Sequence, residues 1–151
     1  MIRRAQLTDT EAIRAMIAQL DYEPPINLEE RIRRLSNHPD EVLLVYELDA
    51  EVVAFLSLHF IPQIALDGDF ARISYFAVKD GARGHGIGRL LEAHIIRLAR
   101  ERNCDRIEAH CHNRRIDAHR FYERQGYEEF PKYFIKHLRS EPSTDLPGTG
   151  Q

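Results

Sequence analysis

The stretch Ile73-Ser74-Tyr75-Phe76-Ala77-Val78-Lys79-Asp80-Gly81-Ala82-Arg83-Gly84-His85-Gly86-Ile87-Gly88-Arg89-Leu90-Leu91 decides how this chain is read. Its opening run of β-branched and aromatic residues reads as a strand. Beyond it, Ile87, Leu90, Leu91, Ile95 and Leu98 keep the spacing of one apolar helix stripe, which predicts a helix from Gly86 to about Asn103. Between strand and helix stand glycines at 84, 86 and 88. Glycine lets the backbone approach a ligand closely, the first N–H groups of a helix point outward unpaired, and the macrodipole adds roughly half a positive charge there. A pyrophosphate suits such a corner. Arg83 and Arg89 supply countercharge, and no acidic side chain follows in the helix before Glu92.

Glycines alone are a weak signal, so other phosphate loops must be separated. A Walker loop ends in Gly-Lys-Ser/Thr, whereas Gly88 is followed by Arg89-Leu90. A dinucleotide fingerprint needs a glycine at 89 and belongs to the first strand-helix unit of a fold, and this loop lies mid-chain. A merely tight turn explains the glycines poorly, since each costs on the order of 1 kcal/mol at a helical start.

Working outward toward the N-terminus, Ile2 to Leu7 alternates as a strand does, and Thr8-Asp9-Thr10 offers oxygens to cap a helix carrying Ile13, Met16, Ile17 and Leu20. After the Tyr22-Glu23-Pro24-Pro25 break, Asn27 and Glu30 form a capping pair for a helix with Leu28, Ile32 and Leu35. Val42–Tyr46 and Val52–Leu58 read as a hairpin about Asp49-Ala50-Glu51, and a further strand, Ala71–Val78, follows an Asp67-Gly68-Asp69 turn. Toward the C-terminus the reading is a strand over Arg106–Cys111, a helix from Asp117 to Gln125 stopped by Gly126, and a closing strand over Tyr133–Leu138. The order is β-α-α-β-β-β-α-β-α-β, an α/β chain of the α+β type with a meander and two crossovers.

The chain's 151 residues, 43% hydrophobic and 30% charged, suit one domain over 1–139. The Pro-, Ser- and Gly-containing stretch 140–151 is expected to be a disordered tail. A net charge of -3 steers the protein toward neither nucleic acid nor an acidic membrane. No apolar run reaches the roughly 20 residues of a bilayer span and the start lacks a signal-peptide core, so a cytoplasmic protein is expected. Cys104 and Cys111 are read as reduced thiols.

Arg83-Gly84-His85-Gly86-Ile87-Gly88 resembles the R-x-x-G-x-G coenzyme A loop of the GNAT superfamily of N-acetyltransferases. Ala118-His119-Arg120-Phe121-Tyr122-Glu123-Arg124-Gln125-Gly126-Tyr127 resembles the same family's second motif, an alanine, a Phe-Tyr pair and a terminal Gly-Tyr. The two stand in the family's order and separation, and the resemblance covers about residues 1–139. Asp80 departs from it, a proline being usual there, as does the long spacing from Asn113 to Ala118. The resemblance implies a mostly antiparallel central sheet with helices on both faces, and acetyl-CoA as acyl donor to a primary amine of a small molecule. A peptide or protein amine, or a catalytically silent acyl-CoA sensor, are the alternatives. It places the diphosphate on the amides from Arg83 through Gly84, His85, Gly86, Ile87 and Gly88 to Arg89. The pantetheine falls on Phe76, Ala77 and Val78, and Asn113 takes a further cofactor contact.

By the same resemblance Tyr122 assists departure of the thiolate, against its reading as a plain core aromatic. A phenol of pKa about 10 is a weaker acid than a thiol of about 8.5, so full proton transfer is uphill by roughly 2 kcal/mol, and Tyr122 is expected to act as a hydrogen-bond donor to sulfur. An alkylamine is protonated at neutral pH, so something must accept its proton. Glu108 is the first candidate, with His110 on the same strand face and His59 near the end of another strand as the alternatives, each acting directly or through water. The oxyanion is assigned to a backbone N–H between Phe76 and Val78 by analogy.

His110-Cys111-His112 and His119 lack a completing ligand at a familiar spacing, so no metal is expected. Arg114-Arg115 reads equally as a ribose-phosphate site or a solvated loop. Asp67, Asp69 and Glu108 hint at a cationic acceptor, the helices between residues 10 and 37 at one wall of its site, and a homodimer is allowed without any feature that points to it. The sortase-like Leu146-Pro147-Gly148-Thr149-Gly150 is attributed to chance, as only Gln151 follows.

Overall fold

The computed structural model describes residues 1–111, 114–130 and 133–139. Strands β1 (Ile2–Arg4), β2 (Glu41–Leu48), β3 (Glu51–Ile61), β4 (Phe70–Val78) and β5 (Arg106–Ala109) form one sheet in that order. Neighbours are antiparallel except β4 and β5, which run parallel and are joined by helix α3 (Ile87–Glu101). Helices α1 (Thr10–Gln19) and α2 (Leu28–Ser36) precede β2, and α4 (Ile116–Arg124) follows β5.

Strand alternation sorts the apolar residues into two cores. Val42 and Leu44 of β2 pack with Leu56, Leu58, Ile87, Leu91 and Ile95 on the α3 side, while Leu43 and Val45 pack with Ile13, Met16 and Ile32 on the α1–α2 side. Both sheet faces are therefore covered, as the resemblance implies. Asp49 and Ala50, with φ of 50° and 63°, make the two-residue left-handed turn that suits the twist of β2 and β3.

A β-bulge interrupts the β3–β4 ladder. Ser57 pairs with Tyr75 but Leu58 with Ile73, leaving Ser74 as the extra residue. Ile73 and Phe76 consequently both face the α3-side core although three positions apart, and Ser74 and Tyr75 are both delivered to the α1–α2 side.

Several local expectations are corrected. Asp9 does not cap α1 with its side chain; its Oδ2 accepts the Gln6 N–H at 2.7 Å while its carboxylate pairs with Arg3, so it closes the preceding 3-10 turn. Asn27 makes no side-chain cap either, because its Oδ1 accepts from Arg31 Nε at 3.0 Å. The closing strand over Tyr133–Leu138 does not form: those residues carry no regular structure, and Phe134 and Leu138 are 86% and 91% exposed. A strand needs an edge to pair with, and β5 presents only four residues. The expected tail 140–151 lies outside the described residues.

Candidate active site

The β4–β5 ladder ends at the pair Ile73–Ala109, so β4 runs on for five residues with its β5 edge unpaired. Lys79 N–H donates to Val53 O at 2.7 Å, which fixes the phase of the β3–β4 ladder. Lys79, Ala77 and Tyr75 turn their main-chain groups toward β3, and Phe76 and Val78 turn theirs into the gap. Val78 O accepts Gln19 Nε2 at 2.9 Å and Arg83 Nε at 3.3 Å. Of the three strand residues singled out by sequence, Phe76 and Val78 thus present main chain to the gap, whereas Ala77 is committed to the ladder and its side chain to the α1–α2 core.

The gap leads to the glycine loop. A 3-10 turn at Asp80–Ala82 comes first, and Arg83 pairs with Asp80 at 3.2 Å. Gly84 and Gly86 then adopt φ of 84° and 75°, left-handed values that favour glycine, and a Cβ on either would meet nothing within 4 Å. Leu90 N–H donates to Gly86 O as the first helical bond of α3, which leaves the N–H groups of Ile87, Gly88 and Arg89 without an intrahelical partner. The Ile87 side chain is buried and anchors the turn, whereas Arg83, His85 and Arg89 are exposed. Gly88 sits against α4: a Cβ there would stand 3.2 Å from the Phe121 ring, which in turn makes an edge contact with Phe76.

Tyr122, next on α4, reaches the α3-side core and makes edge contacts with Phe121 and Tyr127. Burial, then the neighbouring Cys111 and Glu92, push its phenol well above the ordinary value, which keeps the hydroxyl protonated. Glu92, which the sequence marks only as the first acid of the helix, belongs to the same packing. It is buried on α3, where burial raises its carboxyl, and burial first and then Glu92 raise the neighbouring Tyr127 phenol. Its signal was an acid one position from Leu91 inside an apolar stripe.

Glu108 lies on β5 with its Oε1 accepting from Arg72 Nε at 3.0 Å and Nη2 at 2.8 Å, so its charge is already answered. His110 falls beyond the strand end and stacks on Tyr133 with ring centroids 4.6 Å apart; burial and then Arg72 lower its pKa. Arg115 donates to Leu20 O. Asn113 and His112 lie outside the described residues.

On the α1–α2 side a cleft of about 590 Å³ opens beneath the α1–α2 connection, with Tyr22 and Tyr75 in edge contact at 5.4 Å along it. Its acids are Glu23 and Glu41; Asp67 and Asp69 do not line it, since the loop bearing them is held at Asp105, whose N–H donates to Asp69 O. Its floor includes Ser57, His59 and Ser74. The two openings meet at the bulge: the gap starts where β4 leaves β5 after Ile73, and the cleft reaches Ser74 and Tyr75 from the α1–α2 face.

The acetyltransferase (GNAT) family model matches residues 10–127. An aminoalkylphosphonate N-acetyltransferase from Salmonella typhimurium is 28% identical over 142 residues, covering 91% of this chain and 90% of the relative. A Bacillus halodurans C-125 structure described as a transcriptional regulator superposes with a TM-score of 0.85 at 27% identity, covering 91% of this chain and 99% of that one. A CoA complex of an aminoglycoside N-acetyltransferase superposes with a TM-score of 0.79 at 15% identity over 92% and 94% of the two chains, a likeness of fold alone.

Proposed function

Because the chain belongs to the acetyltransferase (GNAT) family, we propose that it transfers the acetyl group of acetyl-CoA to the primary amine of a small molecule. The observation that carries this reading is the continuity of main-chain donors without a partner among the described residues, from Ile87, Gly88 and Arg89 at the start of α3 to Val78 and Phe76 along the β4 edge. Spaced in this way, they suit a diphosphate at one end and an amide-bearing arm with a thioester at the other. The donor set fits coenzyme A on the structure's own terms: backbone N–H groups at a helix start, no acid in the first turn of α3, and left-handed glycines with open space before them.

Bound there, acetyl-CoA supplies an activated acyl carbon and a thiolate leaving group. The chain's own residues do the rest. Ile87, Gly88 and Arg89 N–H groups hold the diphosphate, with Arg83 and Arg89 side chains as countercharge. The Phe76 N–H, which opens into the gap, would donate to the carbonyl oxygen and stabilise negative charge developing on it. Tyr122, kept protonated by its burial, donates a hydrogen bond to the departing sulfur.

The relative's acceptors make aminoalkylphosphonates the first amines to test, and the cleft carries Arg31 and Arg34 from α2. Acetyl-CoA at a hundred times its dissociation constant stabilises the fold by about 2.7 kcal/mol, or roughly 5–10 °C for this size. Free-thiol release is then measured across aminoalkylphosphonates, aminoglycosides, polyamines, amino acids and peptides. A thermal response to NAD or ATP and none to acetyl-CoA would overturn the proposal.

A further inference from the structure

The register of the sheet assembles a row of polar residues that no local motif announces. Glu41 on β2 pairs with His59 on β3, His59 with Arg72 on β4, and Arg72 with Glu108 on β5. All four lie on the α1–α2 side, opposite the α3-side core residues Leu58, Ala71 and Ile73. The row divides into two pairs. Arg72 is taken by Glu108, and His59 by Glu41, whose Oε2 contacts the imidazole Nδ1. The other ring nitrogen, Nε2, stands 2.5 Å from Ser74 Oγ and 3.5 Å from Ser57 Oγ. Ser74 is the bulge residue, exposed in the cleft at the point where β4 leaves β5.

We propose that Glu41, His59 and Ser74 form the proton relay that deprotonates the acceptor amine, with His59 as the base, Ser74 as the hydroxyl that contacts the substrate, and Glu41 as a positioning residue. This rests on the acetyltransferase reading and places the proton acceptor at His59, since the Glu108 carboxylate is engaged by Arg72. With Nδ1–H donating to Glu41, Nε2 carries the lone pair and accepts from the Ser74 hydroxyl. The substrate ammonium gives one proton to Ser74 Oγ as Ser74 passes its own to His59 Nε2. The freed nitrogen lone pair forms the N–C bond to the thioester carbonyl carbon, the carbonyl π pair moves to oxygen, and its return breaks the C–S bond. The second nitrogen proton ends on the thiolate sulfur, giving the amide and the free thiol, and His59 returns its proton to water. The charges sharing this space are Glu41 from β2, Arg72 from β4, Glu108 from β5, Arg31 and Arg34 from α2, His38 beyond its end, and Glu23 from the α1–α2 connection.

A serine, an imidazole and a carboxylate within contact also describe a covalent nucleophile, which would route the acetyl group through a Ser74 ester. The bulge places Ser74 on the acceptor side of β4, whereas the main-chain donor facing the carbonyl, Phe76 N–H, opens into the donor-side gap. That separation favours proton transfer over acylation.

The test uses the full chain, acetyl-CoA and the best amine from the thiol-release screen. His59→Gln is expected to lower kcat/KM at pH 7 by about 100-fold or more and to abolish the fall in rate toward acid that an imidazole base imposes. Glu41→Gln lowers kcat about 10-fold and leaves the amine KM within threefold, while Ser74→Ala, where a water can stand in, loses less than His59→Gln. Acetyl-CoA affinity, read by calorimetry, stays within threefold in all three variants, which also reports that each is folded. Unchanged kcat and pH profile in His59→Gln overturn the relay while acetylation itself stands. A Ser74 acetyl ester seen by mass spectrometry, with parallel double-reciprocal lines, overturns it in favour of the covalent route. A wild-type chain that binds no acetyl-CoA removes the acetyltransferase reading and the relay together.

Discussion

The Phe121 ring occupies the space beside Gly88 that a side chain would need: a Cβ at 88 would stand 3.2 Å from it, and that ring leans on Phe76 at 5.6 Å. The start of α3, the middle of α4 and the exposed edge of β4 are thereby locked to one another, and Tyr122 follows Phe121 in sequence. Gly88→Val is expected to overpack this contact, costing about 1–3 kcal/mol, or roughly 3–10 °C in Tm, and to lower kcat by moving Tyr122. Calorimetry and initial rates check it; a variant as stable and active as the parent contradicts the contact's role.

Tyr122→Phe removes the donor to sulfur and nothing else of comparable size. A hydrogen bond to a charged partner is worth about 1.5–3 kcal/mol, so kcat is expected to fall about 10- to 100-fold with acetyl-CoA affinity within threefold. Burial and the neighbouring Cys111 and Glu92 raise the phenol, so the wild-type rate should show no Tyr122 titration below pH 10. Equal kcat for the two proteins would remove this role.

Glu92 sits in the same packing as an acid whose ionised form is penalised by burial. The sign follows from linkage: a pKa raised in the folded state means its contribution is fully present below the ordinary glutamate value of 4.5 and is lost as pH rises through the folded value. Glu92→Gln is therefore expected to be more stable than wild type at pH 7, with the difference shrinking toward pH 4. Denaturant unfolding at several pH values gives the answer; a variant less stable at every pH would show that the carboxylate is retained for structure.

Asp9 has the opposite behaviour. Arg3 Nη1 and Nη2 reach its two oxygens at 2.8 and 3.0 Å, Arg3 also pairs with Glu47, and the Arg3 contact holds the Asp9 carboxyl below its ordinary value. This contribution is present above about pH 4 and lost as pH falls through the lowered folded value. Asp9→Asn should cost about 1.5–3 kcal/mol at pH 7, the deficit closing in acid. Because Asp9 ends the turn into α1, a wall of the cleft, amine KM should rise as well. A deficit independent of pH would rule out the ion pair as its source.

The sequence discloses what depends on local pattern. Gly84, Gly86 and the stripe from Ile87 to Leu98 announce the loop and α3 because backbone geometry and helix period act over a few residues, and Phe121-Tyr122 with Gly126 announces α4 in the same way. Features made by register are not legible there. Ser74 reads as one more residue of an apolar run, and only the ladder shows that it bulges. Glu41, His59, Arg72 and Glu108 span most of the central chain and become neighbours through three strand pairings. Asn27 has the right residue type for a cap, but Arg31 one turn later competes for its oxygen. Tyr133–Leu138 alternates well enough for a strand, and lacks an edge to join.

Amide hydrogen exchange with and without saturating acetyl-CoA tests the central claim most directly. The account predicts protection at Ile87, Gly88 and Arg89 together with Phe76 and Val78, and little change at Ala77, already bonded within the ladder. Protection confined to other segments, or none at these amides while acetyl-CoA binds, would contradict it.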